Sequence, residues 1–227
     1  MMSLSRTARY VLLFALVPRP GAAQENTDRS HRWYWGAQAG GFVYQTNAQG
    51  FVVDPMFGAH WLITGKRTAL YIGGEEAFFL TDSRATVFDP NSATGLRDAI
   101  FSRVRRLFFG VLAYPTQKRV EPYVGGGFAI MTVQDPTVDC SGTSNNSQCP
   151  TLNDQVAAQN VVDDAASKAF GWIMAGFQMN TGKLAFYGQY MLTSAAAGFL
   201  ISGTTHTIQG GVRYSLGGAK EDVSTAH

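Results

Sequence analysis

The sequence lacks any apolar run of the length a membrane-crossing helix needs, about 20 residues, so its pattern excludes a helical membrane protein. Charge is also scarce: 15% of residues are Asp, Glu, Lys or Arg. Cysteine is limited to two, Cys140 and Cys149, and histidine to four. That is too few thiols and imidazoles, too far apart, for a zinc cluster, and no Asp spacing matches a calcium-binding loop. No metal or other cofactor is therefore expected. What is plentiful is glycine (25) and aromatic residues (12%). A low-charge, Gly- and aromatic-rich chain without long apolar runs suits an all-β protein with apolar residues at every second position.

The first residues read as an export signal. Arg6 and Arg9 precede the short apolar stretch Tyr10 to Val17, and Gly21-Ala22-Ala23 precedes a cleavage point near Gln24. No cysteine lies there, so no lipoprotein anchor is indicated. Removing 1–23 leaves 15 basic against 16 acidic residues. The apparent basicity belongs to the signal, and nucleic acid is not an expected partner. In an oxidising compartment Cys140 and Cys149, with the eight residues SGTSNNSQ between them, are expected to form a disulfide.

Beyond the signal, segments of about ten residues alternate in character between turn-rich stretches. Eight strands are read: Trp33 to Tyr44, Phe51 to Leu62, Thr68 to Leu80, Ile100 to Tyr114, Glu121 to Val133, Ser167 to Met179, Lys183 to Leu192 and Thr205 to Leu216. Glu76 disturbs the third, which leaves a bulge or the opposite facing open. The second, fourth and sixth connections are tight turns; the stretches Thr81 to Ala99 and Gln134 to Ala166 are long and polar. In a meander all tight turns then fall at one end with both termini, as in outer-membrane barrels.

Facing follows from the same alternation. Gly36, Gln38, Gly40, Gly58, His60, Gln189, Thr207, Gln209 and Arg213 lie opposite the bulky apolar set. Polar residues inside and apolar ones outside make sense when the surrounding solvent is lipid. The fold class expected is all-β, an eight-stranded antiparallel up-and-down transmembrane β-barrel. The domain reading is a signal peptide at 1–23, a periplasmic segment at 24–32, the barrel at 33–216 and a polar tail at 217–227.

The last strand carries a resemblance. Gln209, Gly211, Tyr214 and Leu216 resemble the C-terminal insertion signal of outer-membrane barrels, and the region from Trp33 to Leu216 is similar to the OmpA-like and OmpX-like small eight-stranded barrels. The resemblance implies recognition of this strand by the barrel-assembly machinery and residence in the bacterial outer membrane. Family members often end on an aromatic residue, whereas here the polar residues from Gly217 to His227 follow.

Functional expectations are fewer. Glu75 (or Glu76), Arg106 and Arg213 are expected to form a charged network in the lumen, since buried charges need partners. Arg103 and Arg105 share parity with the outward Leu107 and Phe109 and are candidates for contact with lipopolysaccharide phosphates. Trp33, Tyr34, Trp35, Trp61, Tyr114, Tyr123 and Trp172 are candidates for interfacial girdles. His206 lies near Ser202, Thr204 and Thr205 but points outward with no carboxylate near in sequence, so no catalytic residue is named. The expected role is a non-enzymatic, structural or surface-interaction barrel displaying external loops. A narrow channel or transporter of small hydrophobic ligands is the alternative; a lipid A-modifying enzyme and a soluble lipocalin-like carrier stand behind it.

Overall fold

The computed structural model describes residues 32–116 and 118–218. The signal at 1–23, most of the segment after it and the tail from 219 onward lie outside the described residues. The strands are β1 (Arg32–Gln45), β2 (Val52–Thr64), β3 (Thr68–Phe88), β4 (Leu96–Ala113), β5 (Val120–Gln134), the two-residue β6 (Thr137–Val138), β7 (Ser167–Thr181), β8 (Leu184–Thr193) and β9 (Ser202–Gly218). All pair antiparallel. β1 pairs with β2 and with β9, and the β3–β4 pairing completes a closed ring of eight long strands. The fold is an all-antiparallel eight-stranded barrel.

Closure is staggered. The row of cross-strand partners from Leu184 passes through Tyr214, Trp35, Trp61, Ile72, Phe109, Phe128 and Gly171. It returns to the starting strand at Ser194, whose N–H donates to the Gly171 carbonyl at 2.8 Å. From 184 to 194 is a shift of ten residues, so the strands are tilted and the interior has room for packed side chains only.

Alternation sets the two faces. Trp35, Phe57, Leu70, Val111, Phe128, Ile173, Phe177, Ile208 and Tyr214 point outward and are exposed, Ile208 at 65%. A belt of large apolar residues around a closed barrel matches hydrocarbon and is costly in water. Among the described residues no helix is long and apolar enough to cross a membrane; the strands do so. Glu75 faces in and Glu76 out, with unbroken register between them.

Several expectations need correction. Thr81 to Ala99 is mostly not a loop. β3 runs on to Phe88 and β4 begins at Leu96, because inward Ser83, Ala85 and Val87 and inward Ala99 and Phe101 keep the period of two. The ladder breaks between Phe78 and Ser83. There the Leu80 N–H donates to the Asp54 carboxylate at 3.1 Å, so the break is satisfied by a side chain. The stretch Gln134 to Ala166 holds β6, a short 3-10 turn (Asn145–Ser147) and a helix, α1 (Leu152–Asp164). Thr151 caps that helix in a reciprocal capping box with Asp154. Tyr34, Tyr114, Tyr123 and Trp172 are buried inside the barrel and are not interfacial. Trp33, Trp35 and Trp61 do point outward; Trp33 meets Trp61 edge-on at 5.0 Å between rings, and Trp35 stacks on it at 5.5 Å.

Candidate functional site

The interior is layered. Toward the tight turns lies an aromatic cluster that includes Tyr34, Leu62, Tyr71, Phe108, Tyr123 and Trp172. Toward the long connections lies a second apolar cluster. Between them sits a band of buried polar groups: Gln38, His60, Glu75, Arg106, Gln189, Thr207, Gln209 and Arg213, with Gln178 below it at the tight-turn end. Sequence parity put polar residues inside, but not the two apolar layers that enclose them.

The structure brings Glu75 and Arg106 into an ion pair of 2.6 Å with both side chains buried. The same guanidinium nitrogen donates to the Thr207 hydroxyl at 2.9 Å and to the Met56 sulfur at 2.8 Å. Arg106 lies over the Phe42 and Phe108 rings, 4.6 and 5.1 Å from their centres. Arg213 does not touch Glu75. It donates through Nε to His60 Nε2 at 2.9 Å and through Nη1 to Gln178 Oε1 at 2.5 Å, and it stacks 4.0 Å over the Tyr187 ring. Gln178 in turn donates to Glu121 at 3.1 Å.

Gln38 and His60 join the two halves, and parity alone did not single them out for this. Gln38 Nε2 donates to Glu75 at 2.5 Å; its Oε1 accepts from Tyr187 and from His60 Nδ1, each at 2.7 Å. His60 Nε2 must accept from arginine, so the ring is a neutral imidazole with its proton on Nδ1. Donors and acceptors thus alternate from Arg213 through His60 and Gln38 to Glu75, where Arg106 donates from the other side. Room for this comes from glycine: a Cβ at Gly36 would overlap the His60 ring, and one at Gly58 would lie 2.6 Å from Glu75 Cγ.

The outer mouth is closed by its own connections. Ala85, Val87 and Phe101 of the extended hairpin pack with Val162, Ala165 and Ala166 around α1 and with Phe199, Leu200 and Ile201 before β9, above Phe42 and Met56. Polar ties hold this cap. Gln159 of α1 donates to the Pro136 carbonyl and accepts from the Val138 N–H. Arg97 pairs with Asp89 at 2.7 Å, both buried, and reaches the Gln148 carbonyl. The Cys140–Cys149 disulfide closes that loop, its Cα atoms 5.3 Å apart.

On the outside, Arg103 and Arg105 flank Glu76, at 3.7 and 3.2 Å, and Arg103 also pairs with Asp135 at 2.6 Å. His206 meets the Tyr190 hydroxyl at 2.5 Å and the Thr204 hydroxyl at 3.4 Å. Of the β9 residues that resemble an insertion signal, Gln209 is buried in the lumen, while Tyr214 and Leu216 are exposed outward.

A neisserial surface protein, NspA, shares this architecture. Its crystal structure superposes with a TM-score of 0.52 at 11% identity, over 80% of this chain and 96% of that one. The chain has the fold of the small eight-stranded outer-membrane barrels. Ail of Yersinia pestis (TM-score 0.46, 11% identity, 82% of this chain and 99% of that one) and the N-terminal barrel domain of OprF from Pseudomonas aeruginosa (0.43, 10%, 80% and 96%) match more loosely, and only NspA of these three speaks to the fold. No family model matches the chain. No curated protein matches it either. A closed antiparallel barrel that is apolar outside is the construction that spans bacterial outer membranes, and the barrel resides there.

Proposed function

We propose that the protein is a non-enzymatic outer-membrane barrel with a structural or surface-interaction role, presenting a folded cap outside the cell. The carrying observation is a lumen filled by side chains beneath a sealed mouth. Phe42, Tyr44, Tyr71, Phe108, Tyr123, Arg106 and Arg213 are each less than 2% exposed, at levels from one end of the barrel to the other. Such packing supports a scaffold over the alternative of a narrow channel or hydrophobic-ligand transporter. The cap offers a distinct surface: Asp82, Asp163 and Asp164 are exposed on it, with Asp135 paired to Arg103 and a single exposed arginine, Arg84, among the described residues of the hairpin. An acidic face of this kind suits a basic partner.

Enzymatic chemistry finds less support. The two ring nitrogens of His206 face the hydroxyls of Tyr190 and Thr204, and neither hydroxyl is the carboxylate that orients the base in a hydrolytic triad. The barrel-assembly machinery would act through β9, on Gln209, Gly211, Tyr214 and Leu216. Arg103 and Arg105 would meet lipopolysaccharide at the outer rim.

Planar-bilayer recording tests the scaffold reading. The purified barrel is expected to give no steps in current above those of the bilayer alone. Reproducible unitary openings would overturn the closed lumen and restore the channel.

A further inference from the structure

The lipid-facing surface of β5, β7 and β8 carries a groove of about 260 Å³, lined by Val120, Phe177, Met179, Phe186, Tyr187 and Gly188. It arises from one residue. Gly188 occupies an outward position on β8 between Phe186 and Tyr190, where a large side chain would otherwise stand. Its cross-strand partner, Phe177, leans over the space: a Cβ at Gly188 would lie 3.3 Å from the Phe177 ring. Val120, Met179 and Phe186 are cross-strand partners in one row and form the end of the groove nearest the tight turns.

Cations gather at that end. Arg119 directly precedes Val120, and its carbonyl accepts the Asn180 N–H at 3.1 Å, which holds the start of β5 against the turn into β8. Lys183 lies three residues before Phe186, roughly 10 Å along an extended strand. Lys118, Arg119 and Lys183 are all exposed, and none enters an ion pair with another described residue. Lys66 and Arg67 at the neighbouring tight turn are exposed as well. Among the described residues, Glu121, next to Val120, is buried in the lumen. An apolar slot within the hydrocarbon belt therefore opens toward a set of exposed positive charges at the membrane surface.

We propose that the groove and the Lys118, Arg119 and Lys183 side chains form a binding site for one anionic phospholipid of the periplasmic leaflet. An acyl chain fills the space over Gly188 and the headgroup phosphate meets the cations, arginine offering its paired donors. The inference rests on the tight turns facing the periplasm; their resistance to protease in intact cells reports that orientation independently.

The test is native mass spectrometry of the folded barrel released from detergent, with phosphatidylglycerol or phosphatidylcholine of identical chains. One phosphatidylglycerol is expected to be retained, with about tenfold preference over phosphatidylcholine. Replacing Lys118, Arg119 and Lys183 together by Gln should abolish the preference. Gly188→Leu, which fills the groove, should lower phosphatidylglycerol retention about tenfold. Val120→Trp fills it from another wall and gives the same reading should Gly188→Leu fail to fold. Equal retention of the two lipids by the unaltered barrel, or undiminished phosphatidylglycerol retention in a folded groove-filled variant, would overturn the proposal.

Discussion

At the scale of single residues, the central lumen is decided by Glu75. It is the carboxylate on which the Gln38 amide and the Arg106 guanidinium converge. Removing one member of a buried ion pair leaves the other charged and desolvated, which costs about 3–5 kcal/mol. Glu75→Ala is therefore expected to destabilise the folded barrel by that amount in urea titrations from phospholipid vesicles. Replacing Glu75 and Arg106 together by Met should cost much less, since neither charge is then stranded. If the single and double variants lose stability equally, the pair is not coupled and the packing of the side chains alone explains the loss.

At the scale of elements, the cap and the barrel answer to different forces. The barrel strands close through backbone ladders, whereas the cap depends on a small apolar cluster, α1 and one short covalent loop. Closing a loop of about ten residues removes roughly 2–3 kcal/mol of chain entropy from the open state. Changing Cys140 and Cys149 to Ser should speed amide hydrogen exchange across residues 139–164 and leave the barrel strands protected as before. Faster exchange throughout the barrel would mean that the cap holds the barrel shut. The two parts also differed in how far the sequence exposed them. The strands were legible because a half-buried strand writes its facing into every second residue, as in Ile208, Val212 and Tyr214 against Thr207, Gln209 and Arg213; the fourth strand, apolar on both faces at Phe108 and Leu112, wrote less. The hairpin extension was obscured by its outward Asp82, Arg84 and Thr86, although Ala85, Val87, Ala99 and Phe101 kept the alternation. The helix was hidden by its weak apolar face; its surviving signal was Thr151 three residues before Asp154. Parity named Glu75, Arg106 and Arg213, but which of them touch is set by the barrel's cross-section, and the link through Gln38 and His60 depends on it. The same limit misplaced Tyr34, Tyr114, Tyr123 and Trp172, whose aromatic character near strand ends says nothing of which side of the wall they occupy.

At the scale of the whole molecule, charge is sorted along the barrel axis. The tight turns expose Lys66, Arg67, Lys118, Arg119 and Lys183, and the cap exposes Asp82, Asp135, Asp163 and Asp164. Arg84, exposed on the cap beside Asp139, stands apart from this gradient, as do Arg103 and Arg105, outward cations on β4 just beyond Leu107, Phe109 and Val111. Outward charge is costly at the bilayer midplane, about 2–4 kcal/mol, and falls to about 0–1 near the interface, so their height at the end of the apolar run is tolerable. Their ion pairs with Glu76 and Asp135 involve guanidinium groups with 42% and 52% of the side chain exposed. Exposed pairs of this kind are worth about 0–1 kcal/mol, and an arginine gains more from a bidentate phosphate. Changing Arg103 and Arg105 together to Gln is thus expected to lower the melting temperature in bilayers containing lipopolysaccharide, by roughly 2–4 °C for each kcal/mol lost at this chain length. In neutral detergent the same variant should lose clearly less, because only the weak pairs with Glu76 and Asp135, about 0–1 kcal/mol each, are removed. An equal drop in both media would assign the two arginines to those acids and to the packing of β4, and would remove lipopolysaccharide from their role.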